Sequence, residues 1–141
     1  MRLVADTVAV ILGALAALHV YWAFGGRSGA AAAVPERDGA PLFRPGPAAC
    51  ALVAALLAGA AATVWAKGAA WSPLGMPRAA ATVGAFAVAV AFLGRAIGDF
   101  RWVGFFKRHR ATRFARNDSW IYSPLCLALG IGALVVALSQ R

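Results

Sequence analysis

Acidic residues are scarce in this chain, with five Asp and Glu in 141 residues against fourteen Lys and Arg, for a net charge of +9. Charges of either sign make up only 13% of the residues, where a soluble domain carries about 25%. That scarcity excludes an ordinary water-soluble domain, and a hydrophobic content of 62% excludes a disordered chain. Cysteine occurs only as Cys50 and Cys126, without C-x-x-C spacing, so there is no zinc or dithiol motif. The two read as small apolar filling near the same end of their helices. A nucleotide-binding glycine loop, a metal-ligand set and a nucleophile–base pair are also missing, so no cofactor or metal is implied. No segment shows the period-2 alternation of a membrane barrel strand.

What is abundant is long apolar sequence, giving a mean hydropathy of +0.72. Four runs, at about 3–24, 47–67, 77–94 and 122–139, approach or reach the roughly 20 residues that a membrane-crossing helix needs. Helices are the only reading, because a lipid-exposed backbone must satisfy its own hydrogen bonds. Four spans of about 20 residues leave too little for a second folded domain. The expectation is an all-α, polytopic membrane protein, with residues 1–141 forming one compact four-helix bundle. Pro47, Pro77 and Pro124 sit where helices should begin, and Ser123 is placed to cap the fourth. Small residues at Ala54–Ala62, Gly84–Ala89 and Gly130–Ala133 offer faces for close packing within the bundle. The first run is expected to be retained rather than cleaved as a signal peptide. Asp6 lies early in it, and its far end is His19-Val20-Tyr21-Trp22, bulky residues that suit an aromatic anchor.

The positive charge is unevenly placed. Loop 1 (25–46) carries Arg27, Arg37 and Arg44, and loop 3 (95–123) carries Arg95, Arg101, Lys107, Arg108, Arg110, Arg113 and Arg116. The opposite side has only Arg2, Lys67, Arg78 and Arg141. The positive-inside rule then puts loops 1 and 3 in the cytoplasm and both termini outside, with the cell's inner membrane as the expected location.

Loop 3 holds the densest chemistry, with Phe100, Trp102, Phe105, Phe106 and Phe114 interleaved among its seven cations. Its charges point in all directions on a helical wheel, so it does not read as one amphipathic helix. Rings at headgroup level beside snorkelling cations suggest an interfacial segment touching anionic lipid headgroups, and nucleic acid is not the expected partner. Helices 2 and 4 also start on this side, and helix N-termini favour anions. A ligand or anion site would draw on His19, Tyr21 and Trp22 from helix 1, on Arg95, Asp99, Arg101, Arg116 and Asp118 from loop 3, and on Tyr122, Ser123 and Cys126 from helix 4. The acids opposing the cations are Glu36, Asp38, Asp99 and Asp118. Simpler readings stand beside this one. His19 can be a neutral packing residue, Asp99 can pair locally with Arg95 or Arg101, and Asn117-Asp118-Ser119 can be a turn or cap.

The run His19-Val-Tyr21-Trp22-Ala23-Phe-Gly25-Gly26, then Val34-Pro35, resembles the opening of a family of small bacterial four-helix membrane proteins catalogued as a domain of unknown function. Gly94-Arg95, Gly98, Arg101, Gly104, the stretch Phe114–Asp118 and Tyr122-Ser123-Pro124-Leu125-Cys126-Leu127 are similar too, so the resemblance covers nearly the whole chain. It implies fold and location, and no activity. Three functions stay open. The leading one is a binding or structural membrane protein with an electropositive cytoplasmic-side site for an anionic lipid or ligand. The second is a small interfacial enzyme, with His19, Asp99 and Asp118 handling protons and arginines clamping a charged substrate. The third is an oligomeric transporter, which lacks the usual mid-membrane acid. A homo-oligomer or a membrane complex is compatible with each.

Overall fold

A computed structural model describes residues 1–37, 40–69 and 75–139. Asp38 and Arg141, counted in the charge balance above, lie outside the described residues. The elements are α1 (Arg2–Ala23), α2 (Ala30–Ala33), a two-stranded antiparallel ladder of β1 (Glu36–Arg37) and β2 (Ala40–Pro41), α3 (Pro47–Gly68), α4 (Arg78–Ile97), α5 (Arg113–Asn117), a π-helical turn (Asp118–Tyr122) and α6 (Ser123–Leu138). Four helices are long and apolar enough to cross a membrane: α1, α3, α4 and the continuous run Arg113–Leu138.

The four cross in alternating directions. α1 packs mainly on α3, α4 on α6, and α3 against α4 joins the two pairs. The core is made of small side chains, with Ala5, Ala85, Ala89 and Ala133 all but shut off from solvent around Leu12, Val64, Leu129 and Val136. In lipid there is no hydrophobic drive between helices, so attraction comes from close van der Waals contact, which small residues permit. Gly130 and Gly132 show how close. A Cβ at Gly130 would lie 2.7 Å from Leu93 Cγ on α4, and one at Gly132 would lie 2.7 Å from Val8 Cγ2 on α1.

Pro47 opens α3 as expected, with Gly46 at the cap, while Pro77 is itself the cap and α4 starts at Arg78. Pro124 does not open a helix. The fourth helix begins at Arg113, capped by Thr112, whose Oγ1 accepts the Ala115 N–H at 3.1 Å. It then passes through the π turn, where the Ser123 N–H donates to the carbonyl of Asp118 five residues back. Ser123 therefore is no cap, and Asn117-Asp118-Ser119 is no turn. All of them lie inside a continuing helix, and the widened turn brings the chain to Pro124, which has no N–H to give.

At the end where α1 and α4 finish and α3 and α6 begin, an apolar groove of about 630 Å³ lies between α1 and α3. It is walled by alanines such as Ala16, Ala51 and Ala58, with Phe24 and Pro47 also lining it. The loops at this end are tied to each other. Glu36 Oε1 accepts the Arg113 N–H at 2.7 Å, and the Tyr122 hydroxyl donates to the Ala32 carbonyl at 3.1 Å.

Candidate functional site

Loop 3 gains its shape at the end of α4. Gly98 and Gly104 have φ of 92° and 87°, values that L side chains rarely adopt. A Cβ on Gly98 would run into the Val103 carbonyl, and one on Gly104 into the Ile97 carbonyl. The loop can therefore fold back until the Phe105 N–H donates to the Ala96 carbonyl at 2.8 Å, occupying an acceptor that the helix end would leave open. Asp99 fixes the interior. Its Oδ1 accepts the N–H groups of Arg101, Trp102 and Val103 at 2.9, 2.7 and 3.0 Å. Burial pushes its carboxyl up, but the three N–H groups of Val103, Trp102 and Arg101 outweigh this and hold it below the usual carboxylate range. The local ion pair expected between Asp99 and Arg95 or Arg101 does not form, because these backbone donors take its place. Phe100, with φ of 59°, sits at the bend this arrangement requires.

The folded loop delivers its Gly104 N–H and Lys107 to Asp118 at the π turn. Asp118 is fully buried, and its carboxylate is enclosed by donors. Oδ1 accepts from Arg95 Nη2 at 2.7 Å, and Oδ2 accepts from Lys107 Nζ at 2.9 Å and from the Gly104 N–H at 2.8 Å. Lys107, also buried, spends its other two protons on the Gly104 carbonyl at 2.9 Å and Ser119 Oγ at 2.8 Å. Two cations around one carboxylate leave the cluster at +1. Ser123 is buried one turn further along, with its Oγ unpartnered among the described residues, and the same is true of Arg95 Nη1. Cys126, half-buried, lies within electrostatic reach of Arg95 and Asp118.

Of the eleven residues singled out in the sequence, Arg95, Asp118, Ser123 and Cys126 thus come together. Lys107, Gly104 and Ser119 complete the cluster; the sequence does not mark them as site residues, and Lys107 is one cation among seven there. His19, Tyr21 and Trp22 stand apart from it. His19 Nδ1 bonds the Leu15 carbonyl at 2.8 Å, and its ring meets Trp22 edge-on at 4.9 Å. Trp22 Nε1 and the Tyr21 hydroxyl both reach Ser28, so this trio fastens the end of α1 to loop 1. Tyr122 joins the loop 1 contact described above, with its ring 6.1 Å from Phe114. Arg101 lies over Trp102 at 5.7 Å, and Trp102 stacks on His109 at 4.0 Å. Arg116 is exposed.

The arrangement is poorly suited to proton transfer, since Asp118 is saturated with donors and Asp99 is bound to backbone. Among the described residues, no group of three His, Cys, Asp or Glu could hold a metal ion. The surface above the cluster is cationic and aromatic. Arg101, Arg108, Arg110, Arg113 and Arg116 are exposed there beside Phe100, Phe106 and Trp120.

Comparison with curated proteins and with solved structures gives no match. The model of one family, described as a protein of unknown function (DUF3995), matches residues 12–133, in keeping with the resemblance seen in the sequence. This multi-pass membrane protein, with its Arg95–Asp118–Lys107 cluster locked beneath loop 3, belongs to the DUF3995 family.

Proposed function

We propose that this is a binding protein of the bilayer that holds anionic lipid headgroups on the face built by loops 1 and 3, and that this face is cytoplasmic. One observation carries the reading. None of Arg101, Arg108, Arg110, Arg113 and Arg116 is in an ion pair among the described residues, and the described acids of this end, Glu36, Asp99 and Asp118, bond other groups. Asp118 is enclosed by Arg95 and Lys107, Asp99 by backbone N–H groups, and Glu36 accepts from the Arg113 N–H. The exposed guanidinium groups are left without a direct ion pair among the described residues, at an end where cations outnumber acids. Each basic residue near an anionic leaflet is worth about 1 kcal/mol of attraction. Phe100, Phe106 and Trp120, exposed between them, suit the interface, where rings and cations are accommodated together. The apolar groove between α1 and α3, whose lining residues Phe24 and Pro47 are three positions in sequence from Arg27 and Arg44, offers an acyl chain a place below the headgroups.

The test is lipid enrichment around the full-length protein in nanodiscs of mixed phosphatidylcholine and phosphatidylglycerol, read by native mass spectrometry. The wild type is expected to retain phosphatidylglycerol above its bulk fraction, and the triple variant R101Q/R108Q/R116Q to lose most of that excess. Equal retention by the two proteins would remove the reading.

A further inference from the structure

The seam between α1 and α3 is open over one half of its length and shut over the other. On the side of loops 1 and 3 it holds the apolar groove of about 630 Å³, a size within the range of small-molecule sites. The lining runs from Ala16 to Phe24 on α1 and from Pro47 to Ala58 on α3, and consists only of Ala, Val, Phe and Pro. At about 1.5 Å per residue those stretches measure about 12 and 16 Å, close to half of the roughly 30 Å hydrocarbon core. Further along the same two helices the space is filled. Leu12 and Val64 are buried in the core, and a Cβ on Gly68 would run into the Ala5 side chain. The groove is therefore one leaflet deep. A membrane-crossing helix from a second copy would need a face running the whole thickness, whereas an acyl chain of the adjoining leaflet needs only this half. With no polar side chain in its wall, the groove suits a hydrocarbon chain and not a polar ligand.

The chain around the groove's end supplies charge to match. Gly26 lies so close to the Tyr21 ring that a Cβ would collide with it, and Ser28 is bonded by the Tyr21 hydroxyl and by Trp22 Nε1. Arg27, between those two residues, is thus pinned beside the last turn of α1. Arg44 stands three positions before Pro47, so its Cα lies within about 11 Å of the first residue of α3. Both arginines are exposed, and neither is in an ion pair among the described residues. We infer that the groove seats one acyl chain of a single anionic phospholipid, whose phosphate pairs with Arg27 and Arg44. The chain gains wall contact on two sides, which a chain against one convex helix lacks, and the phosphate meets two cations that are otherwise unpaired. The inference rests on the reading of this face as the headgroup side, and adds to it one held lipid apart from the arginines of loop 3.

The experiment is stepwise collisional activation of the full-length protein released from nanodiscs of mixed phosphatidylcholine and phosphatidylglycerol, read by native mass spectrometry. The wild type is expected to keep one last phosphatidylglycerol after the others have been stripped. A51L/A55L adds bulk inside the groove at two exposed positions and leaves the core untouched, so it should fold. It is expected to lose that last lipid while the general phosphatidylglycerol excess around the protein stays as in the wild type. R27Q/R44Q should still keep one last lipid, with its preference for phosphatidylglycerol over phosphatidylcholine reduced about ten-fold or more. A wild type with no phosphatidylglycerol excess would sink the headgroup reading and this site with it. A normal excess with a last lipid that survives in A51L/A55L would sink this site alone, as would a wild type that emerges as two chains without lipid, the sign of a second copy in the groove.

Discussion

Lys107 Nζ lies 2.9 Å from Asp118 Oδ2, and both side chains are fully shut off from solvent. The pair joins a loop to a helix that precedes a membrane crossing, so it decides whether loop 3 stays folded against the bundle. A buried ion pair adds little over a well-packed apolar pair, but removing one member strands the other. Asp118→Ala is therefore expected to cost about 3–5 kcal/mol, with two cations left uncompensated. Lys107→Met should cost less, because Arg95 still neutralises Asp118. Reversible unfolding in mixed micelles measures both, and equal costs would show that Lys107 and Arg95 are not interchangeable in charge.

Gly98 and Gly104 each meet the other's neighbouring backbone, at the Val103 and Ile97 carbonyls, with positive φ at both. Gly104→Ala is expected to cost more than the roughly 1–3 kcal/mol of a strained backbone conformation alone, since a carbonyl must also move. It should open residues 98–112 to proteolysis while the four long helices persist by circular dichroism. Resistance to cleavage equal to the wild type would refute the close approach.

Asp99 sets a pH dependence of known sign. Its carboxyl titrates lower in the folded loop than the unfolded value of about 3.9, because three N–H groups favour the charged form over the effect of burial. Its contribution to loop order is thus complete above that unfolded value and is lost as pH falls through the lower folded one. A carbon-13 carboxyl titration of Asp99 in detergent should give a midpoint below about 3.9. A midpoint at or above it contradicts the assignment.

The orientation can be read directly. With loops 1 and 3 cytoplasmic and both termini outside, alkaline phosphatase fused after the last residue should be active, and a fluorescent protein fused there should stay dark. A bright fluorescent fusion with silent phosphatase reverses the placement.

The four crossings were legible in the sequence because lipid makes a simple demand, some 20 apolar residues per helix, which composition reveals without reference to partners. Arg95, Asp118 and Ser123 were legible as residue types and as inhabitants of one end of the bundle. Their partners were not. Asp99 looked like the mate of Arg95 or Arg101 because sequence distance favours neighbours, whereas Asp118 reaches Arg95 across 23 positions through helix packing. Lys107 was indistinguishable from the surface cations around it, since its burial depends on the loop reversal that Gly98 and Gly104 allow. Pro124 pointed to a helix start because a proline usually does, and only the wider hydrogen-bond step before it lets the helix run through.

That wider step has a consequence for length changes in the chain. A π turn amounts to one residue added to an α-helix, and each residue turns the helix by about 100°. Removing a residue between Asp118 and Tyr122 would swing Asp118 and all that precedes it away from Arg95, while Gly130 and Ala133 stayed seated in the core. The extra residue therefore keys two surfaces that have different demands, one fitting the loop and one fitting the neighbouring helices. Single-residue insertions or deletions in 119–122 should break that phase, and a deletion there should be rescued only by an insertion between Asp118 and Ser123.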